Sequence, residues 1–142
     1  MEFKIDITPD AIDTDNFLRF LHESEGGAIN IFLGTTRRFT EGRETELLYY
    51  EAAADLAKAE IGRLLVEADH RWSLIRAVVV HRTGVVPVHE ASVLIGVATA
   101  HREAAFTASR FLIDELKKRV PVWKRERFTD GSTEWNEGSV PE

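Results

Sequence analysis

The chain has 142 residues, of which 44% are hydrophobic and 30% charged, and it carries a formal net charge of −6. These values are typical of a globular protein, so we expect a single domain over residues 1–142, ending in a short tail from 135 to 142. The lack of cysteine excludes disulfides, thiolate nucleophiles and Cys-ligated zinc, and the acidic balance argues against nucleic-acid binding.

The spacing of the histidines and the hydropathy pattern bear on metal binding and on cellular location. The five histidines show no spacing typical of metal ligands, so we expect no metal and no other cofactor. Apolar runs are far shorter than the ~20 residues that span a bilayer, and the first residues do not have the pattern of a signal peptide. We therefore expect a cytoplasmic protein.

The first half of the chain predicts strands and helices in alternation. Residues 3–7 alternate apolar and polar side chains like a short strand, and a short helix capped by Asp13 or Thr14 is expected to end at Gly26-Gly27. Strands are predicted at 28–34 and 47–51. A long helix is predicted at 52–70. Its buried side should carry these residues: Leu56, Ile61, Leu64, Leu65 and Ala68.

The second half continues the pattern. Strands are predicted at 76–82 and 91–99, and the connection between them is too short for a crossover helix. They should therefore be antiparallel neighbours or be separated by a brief extended segment. A helix over 100–119, with Ala105, Ser109, Leu112, Leu116, Phe106 and Ile113 inward, should stop before Pro121, and a last strand should cover 122–128. The fold class is therefore α+β, mostly antiparallel, with two long helices and one short one.

A basic segment interrupts the acidic chain. Residues 117–127 contain six Lys or Arg and one acid. Such a cluster typically faces an anion, although cations also collect at helix C-termini because they oppose the helix dipole. In the extended strand that follows, Lys124 and Glu126 should share one face, and Arg125 the other.

Basic residues also follow two of the predicted strands. Arg37 comes after the strand that ends at Gly34, and His101 and Arg102 open the last helix. The helix dipole disfavours a cation in the first turn, so Arg102 there indicates an anion site. The alternatives are that His101 is a satisfied histidine at an element boundary and that Arg37 lies in a solvated loop. Lys117 and Lys124 could act as acid, base or nucleophile if desolvated beside other cations.

Four segments together resemble the large, catalytic subunit of molybdopterin synthase. The resemblance extends in order from about residue 27 to 135. The segments are GAINIFLGTTR (27–37), LLYYEA (47–52), VVVHRTGVVPVHEASVLIGVATAHREAAF (78–106) and FLIDELKKRVPVWKRE (111–126).

The resemblance implies a fold, a reaction and partners. The fold would be an α/β-hammerhead, and the chain would form a homodimer that becomes a heterotetramer with a small ubiquitin-like sulfur-carrier subunit. The C-terminal Gly-Gly thiocarboxylate of that carrier would deliver sulfur to cyclic pyranopterin monophosphate. Two transfers would form the molybdopterin dithiolene in molybdenum cofactor biosynthesis.

The resemblance also implies site residues. Lys117 and Lys124 would be catalytic. The substrate-binding residues would be Thr35, Thr36, Arg37, His101, Arg102, Lys117, Lys124, Arg125 and Glu126. This reading requires Arg37, Arg102, Lys117 and Lys124 to meet in one cleft. The alternative function is a non-catalytic adaptor that binds a ubiquitin-like tail or a phosphorylated ligand.

Overall fold

The computed structural model describes residues 1–136. Its helices are α1 (Thr14–His22), α2 (Ala54–Trp72) and α3 (Arg102–Arg119). Its strands are β1 (Glu2–Thr8), β2 (Ala28–Thr35), β3 (Phe39–Thr40), β4 (Arg43–Ala52), β5 (Arg76–Arg82), β6 (Gly84–Pro87), β7 (Ala91–Thr99), β8 (Val122–Phe128) and β9 (Thr133–Asn136).

The first sheet is a four-stranded layer covered by helices on both faces. Its strand order is β1-β5-β7-β2, with β1 parallel to β5 and the other pairs antiparallel. Side chains alternate along β5, so Ala77 and Val79 pack in the core under α2 and α3. Val78 and Val80 face the other way and pack with Leu21 of α1.

The second sheet lies beyond the end of α3. Its order is β3-β4-β8-β9, with β6 beside β4, and all its pairs are antiparallel. Val120 is already extended, with ψ of 127°, because the following Pro121 disfavours the helical region. This break ends α3 at Arg119 and directs the chain into β8, the central strand of the site.

Most of the predicted elements are confirmed. The class is α+β, mostly antiparallel, with two long helices and a short one capped by the Asp13 side chain. Strands β5 and β7 are antiparallel neighbours, and the connection between them contains the extended β6, which pairs with β4. The prediction that Gly26-Gly27 ends α1 is wrong, because the helix stops at His22.

Two apolar side chains were assigned to the wrong side of their helices. Leu56 is 67% exposed and Phe106 is 63% exposed. Each lies one residue, or about 100° of helix rotation, from the alanine that begins the buried stripe, Ala57 in α2 and Ala105 in α3. A count of apolar residues in the segment does not reveal this offset.

The second sheet is larger than the sequence predicted. Strand β4 begins at Arg43 rather than residue 47. Trp135, expected in the tail, lies in β9 and pairs with Arg125 of β8. The rest of the predicted tail, residues 137–142, lies outside the described residues.

Candidate active site

A cavity of about 450 Å³ lies where the two sheets meet the C-terminal half of α3. This volume falls in the range of small-molecule sites. The polar and charged residues of its lining are Thr35, Thr36, Arg37, Thr40, Tyr50, His81, Ser92, Lys117, Lys124 and Glu126. The cavity therefore draws on β2, β4, β5, β7, α3 and β8, which are distant in sequence.

Three cations line this cavity, and we call them the cationic cluster: Arg37, Lys117 and Lys124. Arg37 follows β2 and Lys117 occupies the last turn of α3; both are exposed, whereas Lys124 in β8 is half-buried. Burial is the main cause that lowers the pKa of Lys124, and the charges of Lys117 and Arg37 lower it further. The negative charge of Glu126 raises the pKa of Lys124 and so opposes these effects.

Glu126 is a buried carboxylate on the same face of β8 as Lys124, as the strand pattern predicted. Its Oε2 accepts hydrogen bonds from the Thr45 hydroxyl at 2.5 Å and from the Thr40 hydroxyl at 2.8 Å. These donors satisfy a charge that would be costly to bury alone. The carboxylate thus supplies a fixed counter-charge beside the half-buried lysine.

Thr36 lines the cavity, and its buried hydroxyl has no hydrogen-bond partner within residues 1–136, although the residue is only 2% exposed. Its backbone is held firmly. The Thr36 N–H donates to the Glu90 carbonyl at 3.0 Å, and the His89 N–H donates to the Thr36 carbonyl at 2.9 Å. Buried hydroxyls are normally paired, so this one is suited to a bound ligand.

Three neutral polar side chains also line the cavity, and the sequence reasoning missed them; we call them the neutral cluster: Tyr50, His81 and Ser92. The rings of Tyr50 and His81 meet edge to face, with centroids 5.0 Å apart. Burial lowers the pKa of His81 to about 4, so its imidazole is uncharged at neutral pH. The only available signal was a histidine in the otherwise apolar interior of a strand, RAVVVHR.

Comparison with known proteins decides the family. A family model described as "MoaE protein" matches residues 7–119. The molybdopterin synthase catalytic subunit of Culex quinquefasciatus is 42% identical over 134 residues, which cover 92% of this chain and 85% of the relative. The chain belongs to the MoaE family. It is therefore an enzyme of molybdenum cofactor biosynthesis, of the sulfurtransferase class.

Solved structures of MoaE-type proteins have the same fold. Molybdopterin synthase from Staphylococcus aureus superposes with a TM-score of 0.85 at 33% identity, covering 92% of this chain and 94% of that chain. A Helicobacter pylori protein–protein complex of subunits 1 and 2 of molybdopterin-converting factor gives a TM-score of 0.73 at 20% identity, over 94% of this chain and 88% of that chain. Because its sequence identity is only 20%, the second structure supports the fold and nothing further.

Not every residue that the MoaE resemblance implied lies at the cavity. His101 is the N-cap of α3 and Arg102 its first residue; both are exposed and neither lines the cavity. Arg102 and Lys117 are 15 residues apart on one helix, which separates their backbones by about 22 Å. The expectation that Arg102 joins the cationic cluster is therefore wrong within a single chain, and its role in binding stays a prediction.

Arg125 also lies away from the cavity. Alternation along β8 turns it to the opposite face from Lys124, where its guanidinium lies 5.1 Å from the Tyr49 ring and 5.3 Å from the Trp135 ring. Such contacts indicate a packing role. The implied binding role of Arg125 stays a prediction that the cavity does not support.

Across residues 1–136, no group of three or more His, Asp or Glu side chains is placed to hold a metal ion. In the same residues, no helix combines the length and the apolar character needed to cross a membrane.

Proposed function

We propose that the cavity binds cyclic pyranopterin monophosphate together with the C-terminal Gly-Gly thiocarboxylate of a small ubiquitin-like carrier. The thiocarboxylate sulfur bonds to a substrate carbon, and water then cleaves the bond between the sulfur and the carrier's acyl carbon, so that the carrier leaves as a carboxylate. Two such transfers yield the molybdopterin dithiolene. The observation that carries the proposal is the cationic cluster, which gathers three positive side chains at one cavity of an acidic chain. Both proposed ligands are anions, so both are attracted to this cavity.

The two lysines have different surroundings and therefore different proposed roles. Lys117 is exposed in the last turn of α3, where it can meet the arriving thiocarboxylate, orient it and move protons as the sulfur attacks the substrate carbon. Lys124 is half-buried, and its pKa is lowered chiefly by burial, so it gives up a proton more readily than a solvated lysine. It stabilises the oxyanion that develops, or protonates the oxygen that leaves.

Binding residues surround these two lysines. Arg37 holds the phosphate or another oxygen of the substrate, because a guanidinium forms two parallel hydrogen bonds to such groups. The Thr36 hydroxyl, which has no partner in the described part of the chain, donates to an oxygen of the same ligand. Glu126 keeps the charge of Lys124 in place between turnovers, since it is the nearby anion that raises that lysine's pKa.

Assembly is part of the proposal. We propose a homodimer that binds two copies of the carrier as a heterotetramer. Apolar side chains at the edge of the first sheet support a further subunit contact, because Phe32 and Leu33 of edge strand β2 and Phe106 of α3 are exposed. A contact there would also determine whether His101 and Arg102 reach a cavity.

The test uses two lysine variants and a matched control. Lys117→Ala and Lys124→Ala are mixed with thiocarboxylated carrier and cyclic pyranopterin monophosphate, and the dithiolene product is measured. Each variant should lose about 100-fold or more in rate, the size expected when a preorganised charge is removed. Lys118→Ala is the control, because Lys118 is exposed, pairs with Glu115 and lies next to Lys117 on the same helix.

Two results would contradict the proposal. If Lys117→Ala and Lys124→Ala both turn over the substrate like the unmodified chain, the catalytic assignment is wrong. If the unmodified chain binds the carrier tightly and forms no product, the chain is an adaptor rather than an enzyme of this reaction.

A further inference from the structure

The polar groups of the cavity divide into donors and acceptors. The cationic cluster offers only hydrogen-bond donors, because protonated lysine and arginine have no acceptor atom. An anionic group of the substrate therefore belongs beside Arg37, Lys117 and Lys124. The neutral cluster has the opposite character, as its internal hydrogen bonds show.

The hydrogen bond of His81 fixes its tautomer. His81 Nδ1 lies 2.9 Å from the carbonyl oxygen of Arg82, and a carbonyl oxygen can only accept, so Nδ1 carries the proton. The imidazole is neutral because burial holds its pKa near 4. Nε2 therefore carries a lone pair that no group of residues 1–136 occupies, in a residue that is 4% exposed and lines the cavity.

The donors of the other two neutral residues are already used. The Tyr50 hydroxyl donates to Ser92 Oγ at 3.3 Å, and the Ser92 hydroxyl donates to the Gly34 carbonyl at 3.3 Å. What these side chains can still offer a ligand is acceptor capacity, at Tyr50 Oη and at the second lone pair of Ser92 Oγ. The neutral cluster is therefore complementary to a ligand edge that is uncharged and rich in N–H groups.

We propose that His81 recognises the heterocyclic part of the substrate, its Nε2 accepting a hydrogen bond from a ring N–H or the amino group of the pterin. This inference rests on the proposed function, since it concerns the same cavity and the same substrate. A pterin carries an amide N–H and an exocyclic amino group, and its phosphate carries only acceptors in the ionised form. The phosphate thus lies at the cationic cluster and the pterin N–H edge at His81, which gives the substrate one orientation.

Glu126 is a charged acceptor at the cavity, and it is less suited to this task. Its Oε2 is already occupied by the Thr40 and Thr45 hydroxyls, and its charge is matched to Lys124. His81 is a positioning residue in this proposal. It holds the substrate, and the lysines carry out the transfer.

The test uses amides that replace one imidazole nitrogen at a time. In His81→Asn the side-chain amide can keep the donor to the Arg82 carbonyl and loses the acceptor at the Nε2 position. In His81→Gln the longer side chain places an acceptor oxygen there. His70→Asn, on the exposed part of α2, is the matched control. Binding of cyclic pyranopterin monophosphate and of inorganic phosphate is measured by calorimetry, and KM and kcat are measured with thiocarboxylated carrier.

The expected results separate recognition from structure. His81→Asn should bind the pterin substrate about tenfold more weakly, the effect of one lost hydrogen bond, with KM raised and kcat retained. His81→Gln should recover most of the binding that His81→Asn loses, and His70→Asn should stay within about threefold of the unmodified chain. Phosphate binding should be the same in all four proteins, because it depends on the cationic cluster.

Equal binding of the substrate by His81→Asn and the unmodified chain overturns the inference and leaves the proposed function standing. An equal loss of phosphate and pterin binding also overturns it, because the change is then structural. If the unmodified chain does not bind the substrate, the proposed function itself fails. Should His81→Asn not fold, the ¹⁵N resonance of His81 Nε2 in the unmodified chain decides: it should shift when the substrate binds, and an unchanged resonance overturns the inference.

Discussion

Replacing Thr45 by valine removes one of the two hydroxyl donors to the buried Glu126 carboxylate. Valine has nearly the same shape as threonine, so the change leaves no cavity in the second sheet. The hydrogen bond from Thr45 Oγ1 to Glu126 Oε2 is 2.5 Å long and buried, and only the Thr40 donor remains after the substitution. The variant therefore measures what one charge-assisted hydrogen bond contributes to this site.

The magnitude follows from the charge on the acceptor. Hydrogen bonds to ionised groups contribute about 1.5–3 kcal/mol to stability, so we expect Thr45→Val to lower the free energy of unfolding by about 2 kcal/mol. That is about a 30-fold change in the ratio of folded to unfolded protein. With a urea m-value of roughly 2 kcal/mol/M, the midpoint of unfolding should fall by about 1 M while the m-value stays constant.

Thr36→Val is the matched control for this measurement. Thr36 is also buried, and its replacement by valine is the same chemical change, but its hydroxyl has no partner within residues 1–136. Its removal should leave the free energy of unfolding unchanged or raise it by about 1 kcal/mol, and should weaken substrate binding. If Thr45→Val destabilises the protein no more than Thr36→Val does, the hydrogen bonds to Glu126 do not support the site as argued.

Two further predictions concern packing and surface charge. Gly96→Ala should destabilise the protein by about 1–3 kcal/mol, because the new Cβ would lie 2.6 Å from Leu21 Cδ1. Gly62→Ala lies inside α2, where there is room for a Cβ, and should stabilise the protein by about 0.5–1 kcal/mol. Thermal unfolding checks both variants, and equal effects on stability would contradict the packing argument. Arg119→Gln should cost about 1 kcal/mol in urea unfolding at neutral pH and low salt. A hydrogen bond from Arg119 is the main cause that lowers the pKa of Glu60. The stability that this ion pair contributes is therefore complete above about pH 4.5 and is lost as the pH falls through the lowered pKa. A cost of Arg119→Gln that does not depend on pH or salt would contradict this assignment.

Local rules of the backbone were sufficient to predict most elements of the fold. Val120 before Pro121 ended α3 at the predicted residue, because the steric conflict involves only neighbouring residues. The short connection between β5 and β7 excluded a crossover helix for a similar reason, and antiparallel pairing was one of the two arrangements that it left open. Alternation in β8 placed Lys124 and Glu126 on one face. Each prediction depended on geometry within a few residues.

The parts of the site that could not be predicted depend on contacts between distant segments. His81 looked like one polar residue in a buried strand, and only the approach of Tyr50 and the Arg82 carbonyl shows it to be a neutral acceptor. The resemblance implied Thr36 as a binding residue, but its buried hydroxyl without a partner in residues 1–136 is a property that depends on the whole fold. The prediction that Arg102 meets Lys117 in one cleft was wrong within a single chain, because the length of α3 separates the two residues.

The register of β4 against β8 connects stability to chemistry in this site. Tyr50 lies opposite Lys124, and Leu48 opposite Glu126, so the neutral and cationic clusters become neighbours through one strand pairing. A slip of one residue would turn Arg125 toward the cavity and remove Lys124 from it, because successive side chains of a strand point to opposite faces. The hydrogen bonds from Thr40 and Thr45 to Glu126 oppose that slip, since they join β3 and β4 to a particular residue of β8. Stability lost in Thr45→Val should therefore be accompanied by lost positioning of Lys124, and activity should fall further than the unfolded fraction alone accounts for.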